Sequence, residues 1–179
     1  MQITAVATAA GPMVACLGPG NPWRCMSDDE ARTLEAICER IIPADQDPGA
    51  TWAGVANYID RQLVGPYRNL RKTYRLGLAG TNATSRAMFG KPFVNLPPQQ
   101  QDAVLHTMDK GQAQKEGCWQ QVSAKSFFDL VASHTMQGFY GDPRHGGNRE
   151  RVSWKMLRLP YPPVRGRMTD QTSADDADW

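Results

Sequence analysis

The run Ser27-Asp28-Asp29-Glu30-Ala31-Arg32-Thr33-Leu34-Glu35-Ala36-Ile37-Cys38-Glu39-Arg40-Ile41-Ile42-Pro43 reads as an amphipathic helix with both ends marked. Ser27 can cap the first turn, and Glu30, three residues on, can reach back to the Ser27 amide to close a capping box. Acids crowd that turn, where the helix dipole favours them. Ala31, Leu34, Cys38 and Ile41 recur at spacings of three and four, and Ile37 and Ile42 widen the stripe. Pro43 ends the helix, and Asp45-Gln46-Asp47-Pro48-Gly49 is a turn.

Outward from this helix the same period returns. A second helix is predicted from about Trp52 to Leu63, with Val55, Ile59 and Leu63 on one face and Gly65-Pro66 as its break. A third is predicted from about Tyr67 to Leu78, with Gly77 and Gly80 weakening its end and Gly90-Lys91-Pro92 forming a loop. Leu96-Pro97-Pro98 opens a fourth helix to about Lys110, because proline is tolerated in a first turn. Val104, Leu105 and Met108 face inward on it, and Gly111 stops it. A fifth runs from about Ser123 to Phe139, carrying Phe127, Leu130, Val131 and His134. A short helical piece near Val152–Leu157 follows, then Pro160-Tyr161-Pro162-Pro163. No segment alternates with period two for long, so strands have little support. The expectation is an all-α chain: a single helical domain of about five main helices over 27–160, an extended N-terminal arm over 1–26, and a Pro-rich C-terminal tail over 161–179.

The 179 residues carry 20 Lys+Arg against 18 Asp+Glu, a net charge of +2 that is too mild to argue for nucleic acid. No stretch approaches the roughly 18 to 20 apolar residues of a membrane span, and 41% hydrophobic residues exclude global disorder. The near-neutral total is built from opposed blocks. Residues 1–23 carry no charge, residues 28–47 carry seven acids against two arginines, and residues 144–167 carry seven basic residues against Glu150 alone. Four aspartates follow Met168. Trp154 and Tyr161 are interleaved in the basic block, a pattern also used on single-stranded nucleic acid. A solvated face, or one complementary to an acidic partner protein, is the preferred reading.

Residue patterns that carry chemistry are sparse. His106, His134 and His145 share no helical ligand spacing, and His134, set among Phe127-Phe128 and Phe139-Tyr140, reads as a packed histidine with one hydrogen bond. There is no nucleophile elbow and no phosphate-binding glycine pattern. The conspicuous polar segment is Gly141-Asp142-Pro143-Arg144-His145-Gly146-Gly147-Asn148. It reads either as a rigid turn presenting a docking surface or as a catalytic loop with Asp142 and His145 as acid and base.

The four cysteines are Cys16, Cys25, Cys38 and Cys118. Cys16 and Cys25 flank a turn-rich segment that can bring them within bridging range and tether the arm. Cys38 falls on an apolar helix face and reads as a small buried hydrophobe. Cys118 is free or bridged, within the chain or to another. The even count leans towards an oxidising compartment. Ala5-Val6-Ala7 and Ala7-Thr8-Ala9 resemble the cleavage end of a secretory signal, although an uncharged arm without that role stays open.

Three segments in this order resemble the small subunit (subunit 3, or γ) of the membrane-bound gluconate 2-dehydrogenase family. They are Ile41–Asp45 with Pro48-Gly49-Ala50; Ala53-Gly54-Val55-Ala56-Asn57-Tyr58-Ile59-Asp60-Arg61-Gln62-Leu63-Val64-Gly65-Pro66-Tyr67; and Gly138–Asn148 leading to Trp154-Lys155. The family often carries an aromatic residue at the place of His145. The resemblance implies a subunit without catalytic, cofactor or metal residues of its own. In such complexes a large flavoprotein carries FAD and oxidises a sugar or polyol, and a multihaem cytochrome c passes electrons to the membrane quinone pool. The small subunit supports, matures and helps export the flavoprotein on a twin-arginine signal, which places it in the periplasm and at the membrane only indirectly. The contact surface expected from this is Gly141–Asn148 with Trp154 and Tyr161, and Cys118 is a candidate for a bridge to the large subunit. The other function class in view is a stand-alone hydrolase or lyase using Asp142 and His145.

Overall fold

The computed structural model describes residues 23–114 and 116–159, and the described residues are helical without a strand. Helix α1 is Asp28–Ile41, and its capping box is formed as the residues predict: Glu30 N donates to Ser27 Oγ and Ser27 N donates to the Glu30 carboxylate. Helix α2, Val55–Val64, begins three residues later than expected. Gly54 stands before it with φ 75°, a left-handed conformation that a side chain at residue 54 would resist.

Helix α3, Arg71–Phe89, departs most from expectation. It starts after a 3-10 turn at Arg68–Leu70, passes through Gly77 and Gly80, and ends at Gly90. The two glycines are not fraying points. Gly77 faces the ring of Phe127 and Gly80 faces the indole of Trp119, so packing compensates the loss of helix propensity. Helix α4, Pro98–Asp109, carries its proline at the first turn. Helix α5, Ala124–Tyr140, is capped by Ser123, whose hydroxyl accepts from Ser126 N. A five-residue helix α6, Val152–Met156, completes the order. No described helix is long and apolar enough to cross a membrane.

The core forms where the stripes meet. Leu34, Ile37 and Cys38 of α1, Val55, Ile59 and Leu63 of α2, Tyr74 and Leu78 of α3, Val104 and Met108 of α4, and Phe127, Val131 and Phe139 of α5 are all buried. Each large apolar side chain so removed from water contributes about 1.5–3 kcal/mol. Helix α5 is the centre, packing on all four α-helices that precede it. Cys38 is buried as expected, accepting from Thr135 Oγ1 at 3.3 Å, and burial pushes its thiol up to about 12. His134 is also the packed histidine that its neighbours predict. Its ring stacks on Tyr67 with centroids 4.5 Å apart, and its Nδ1 hydrogen-bonds the Tyr74 hydroxyl at 2.7 Å.

Candidate functional site

The segment Gly141–Asn148 folds back from the end of α5 onto α2. Gly141 ends α5, and Asp142 opens a one-turn 3-10 helix, Pro143–His145. The Asp142 carboxylate accepts from the Arg144 amide at 3.0 Å and from the Arg144 guanidinium. Those bonds to Arg144 hold its pKa down at about 2. His145 is exposed and donates its backbone amide, not its ring, to the Asp142 carbonyl at 3.0 Å. Asp142 is therefore a fixed anion paired to its own loop, far too acidic for a general base at neutral pH.

The second half of the segment is locked to the helices. Gly146 has φ 104°, and its carbonyl accepts from Asn57 Nδ2 of α2 at 2.7 Å. Gly147 lies against the Gly138 backbone of α5, where no side chain fits. Asn148 is fully buried with φ 45°; its amide donates to the Gly141 carbonyl at 2.9 Å and its oxygen accepts from Ser153 N at 3.0 Å. Arg149 N donates to the Ala53 carbonyl at 3.0 Å, and its guanidinium lies 5.8 Å from the centre of the Trp52 ring. Trp154 is buried, with Nε1 donating to the Tyr140 carbonyl at 2.8 Å.

Of the residues proposed for partner contact, the structure thus brings Gly141 to Asn148 and Trp154 into one unit. It turns Gly147, Asn148 and Trp154 inward and leaves Arg144 and His145 at the surface. Tyr161 lies outside the described residues, as does Cys16 of the expected Cys16–Cys25 pair. Cys25, Cys38 and Cys118 form no bridge with one another. Cys25 is half-buried, and burial raises its thiol pKa. Cys118 lines a cleft of about 550 Å³ between α3, α4 and the connector to α5, with Met88, Thr107 and Trp119.

Two helix carboxylates, Asp60 and Glu39, organise the neighbouring backbone. Asp60, at 1% exposure on α2, accepts the amides of Arg24, Cys25 and Met26 at 2.6, 2.9 and 3.2 Å. Glu39 on α1 accepts Ala44 N at 2.9 Å and Thr51 N at 2.8 Å, which closes the acidic turn after Pro43. The segments Ile41–Ala50, Ala53–Tyr67 and Gly138–Asn148 are joined by Val55 N donating to the Ala50 carbonyl and Asn57 Nδ2 donating to the Gly146 carbonyl. Among the described residues, no group of three or more His, Cys, Asp or Glu converges as a metal site would.

A family model described as gluconate 2-dehydrogenase subunit 3 matches residues 28–160. Neither the comparison with curated proteins nor that with solved structures gave a match.

Proposed function

The chain belongs to the gluconate 2-dehydrogenase subunit 3 family, and on that premise we propose that it is the non-catalytic small subunit of a periplasmic, membrane-associated FAD-dependent dehydrogenase. The match over residues 28–160 carries this reading, and the family's name makes the chain one subunit of a multi-subunit complex. FAD sits on a large flavoprotein partner and haem c on a cytochrome partner, with no cofactor on this chain. Its work is to stabilise and mature the flavoprotein and to assist twin-arginine export.

The geometry of Gly141–Asn148 supports the reading. Asp142, Asn148 and the loop amides bind each other and α2, so the loop's polar groups are consumed in holding a shape. A pre-shaped surface binds with little ordering cost.

Co-expression with a large flavoprotein subunit of the same source tests the proposal. The expected product is a stoichiometric, flavin-yellow complex, and the flavoprotein expressed without this chain is recovered in lower yield or fails to reach the periplasm. A flavoprotein that is folded, exported and active to the same degree without this chain overturns it.

A further inference from the structure

We propose that the apolar face shared by the end of α5 and by α6 is where this subunit seats its catalytic partner, which meets it with an apolar patch bordered by carboxylates. The inference rests on the subunit reading above and names its surface. Nine large hydrophobic residues are exposed among the described residues, and five lie on these two packed elements or within three residues after α6. They are Met136, Tyr140, Met156, Leu157 and Leu159, at 50, 41, 41, 55 and 45% exposure. Met136 and Tyr140 are one turn apart on α5. The other four, Trp52, Val64, Met88 and Val94, are spread over separate parts of the chain. Scattered apolar residues need no explanation, whereas a concentration of them marks an interaction site.

The face is preformed. The indole of Trp154 ties α6 to the Tyr140 carbonyl at 2.8 Å, Asn148 holds Ser153 N, and Leu159 N turns back to the Trp154 carbonyl at 2.8 Å. All four described non-glycine residues with positive φ, Asn148, Glu150, Arg151 and Arg158, fall within this one stretch. Backbone held in that region costs energy and collects where a particular surface is being maintained.

Charge selects the partner. Lys155 and Arg158 are exposed beside the apolar residues and make no salt bridge among the described residues. Arg144, by contrast, is taken up by Asp142. Glu150 is the only acid between residues 144 and 159. A face with an apolar centre and unpaired cations at its edge is complementary to a protein surface of opposite rim charge. An anionic membrane is the poorer fit: α6 has five residues, too short for an interfacial helix, and two cations attract a leaflet weakly.

The test is carried out on the complex formed with the large flavoprotein subunit. Leu157→Asp with Leu159→Asp is expected to weaken the complex roughly tenfold or more. Lys155→Glu with Arg158→Glu is expected to weaken it several-fold and to flatten its salt dependence. Val94→Asp, ahead of α4, leaves it unchanged. All five positions are exposed, and circular dichroism checks that each variant folds. Hydrogen exchange on the unaltered chain reads the same surface independently, with protection on binding expected at 136–140 and 152–159. A complex that tolerates both double variants, or protection confined elsewhere, overturns this inference and leaves the subunit reading standing. So does protection already present in the free chain and lost on removing residues 168–179, which makes the chain's own acidic segment the occupant. Binding of the free chain to phosphatidylserine vesicles that the same variants abolish, with the complex intact, overturns it in favour of a membrane. No complex with the unaltered chain overturns both readings together.

Discussion

Gly80 of α3 faces the indole of Trp119 with no room for a methyl group: a Cβ at position 80 would stand 2.6 Å from the ring. The indole cannot step aside, because its Nε1 donates to Thr84 Oγ1 at 2.9 Å. In an open helix Gly→Ala gains about 1 kcal/mol, while overpacking a filled site costs about 1–3 kcal/mol. Gly80→Ala and Gly77→Ala are therefore expected to lower the urea midpoint. A raised midpoint in either would show that the rings yield.

Removal of the Asp60 carboxylate strands three backbone amides. Asp60→Ala is expected to cost about 1–3 kcal/mol, the penalty for a buried donor left unmet, because Met26 N is buried whereas the amides of Arg24 and Cys25 are only partly so. Asp60→Asn keeps one acceptor oxygen and should cost less. Amide exchange at Arg24, Cys25 and Met26 should accelerate in both, ahead of global unfolding. Unchanged exchange there would mean that the three bonds are not what holds the segment.

Asn148 combines a left-handed backbone with two side-chain hydrogen bonds. Asn148→Gly should relieve the backbone and lose the bonds, while Asn148→Ala loses both advantages. The expected stability order by chemical denaturation is Asn148, then Gly, then Ala, with Ala down by about 2–4 kcal/mol. Ala at least as stable as Gly would remove the backbone argument.

Burial lowers the pKa of His134 below the ordinary 6.5. The fold accommodates the neutral ring, so the unfolded chain binds the proton more readily. Stability is full above 6.5 and declines as pH falls from there towards the folded value. His134→Phe should lower stability at pH 8 by leaving the Tyr74 hydroxyl unpartnered, yet lose less than the parent between pH 6.5 and 5. Parallel pH curves for the two proteins would dismiss His134 as the titrating group.

Cys38 should resist alkylation in the folded protein, because a fully buried thiol held at about 12 carries almost no thiolate. Mass spectrometry after iodoacetamide is expected to find Cys38 modified only once denaturant is added. Labelling without denaturant, at the rate of an exposed thiol, would contradict the burial.

The helices were legible wherever their signals were local. Ser27 with Glu30, Ser123, and Pro97-Pro98 each mark an end within one turn, and the structure begins α1, α5 and α4 there. Helix α3 was misjudged because the reason to keep going lies elsewhere: Phe127 and Trp119 are 50 and 39 residues from the glycines that receive them. Asp60 and Glu39 have the same difficulty, since a carboxylate on a helix gives no sign of aiming at a distant backbone amide. In the candidate loop, the turn-forming role of Gly146 and Asn148 was readable from residue type. That Asp142 would be claimed by Arg144, and that Trp154 would face inward, depended on how the loop lands on α2 and α5.

The ten residues of α2 grip both ends of the described domain. Asp60 holds residues 24–26, and Asn57, three positions earlier, holds Gly146 from 89 residues away. Neither residues 24–26 nor the Gly146 turn can therefore peel away without disturbing the same short helix. The domain should melt in one cooperative step, its first and last segments losing exchange protection together.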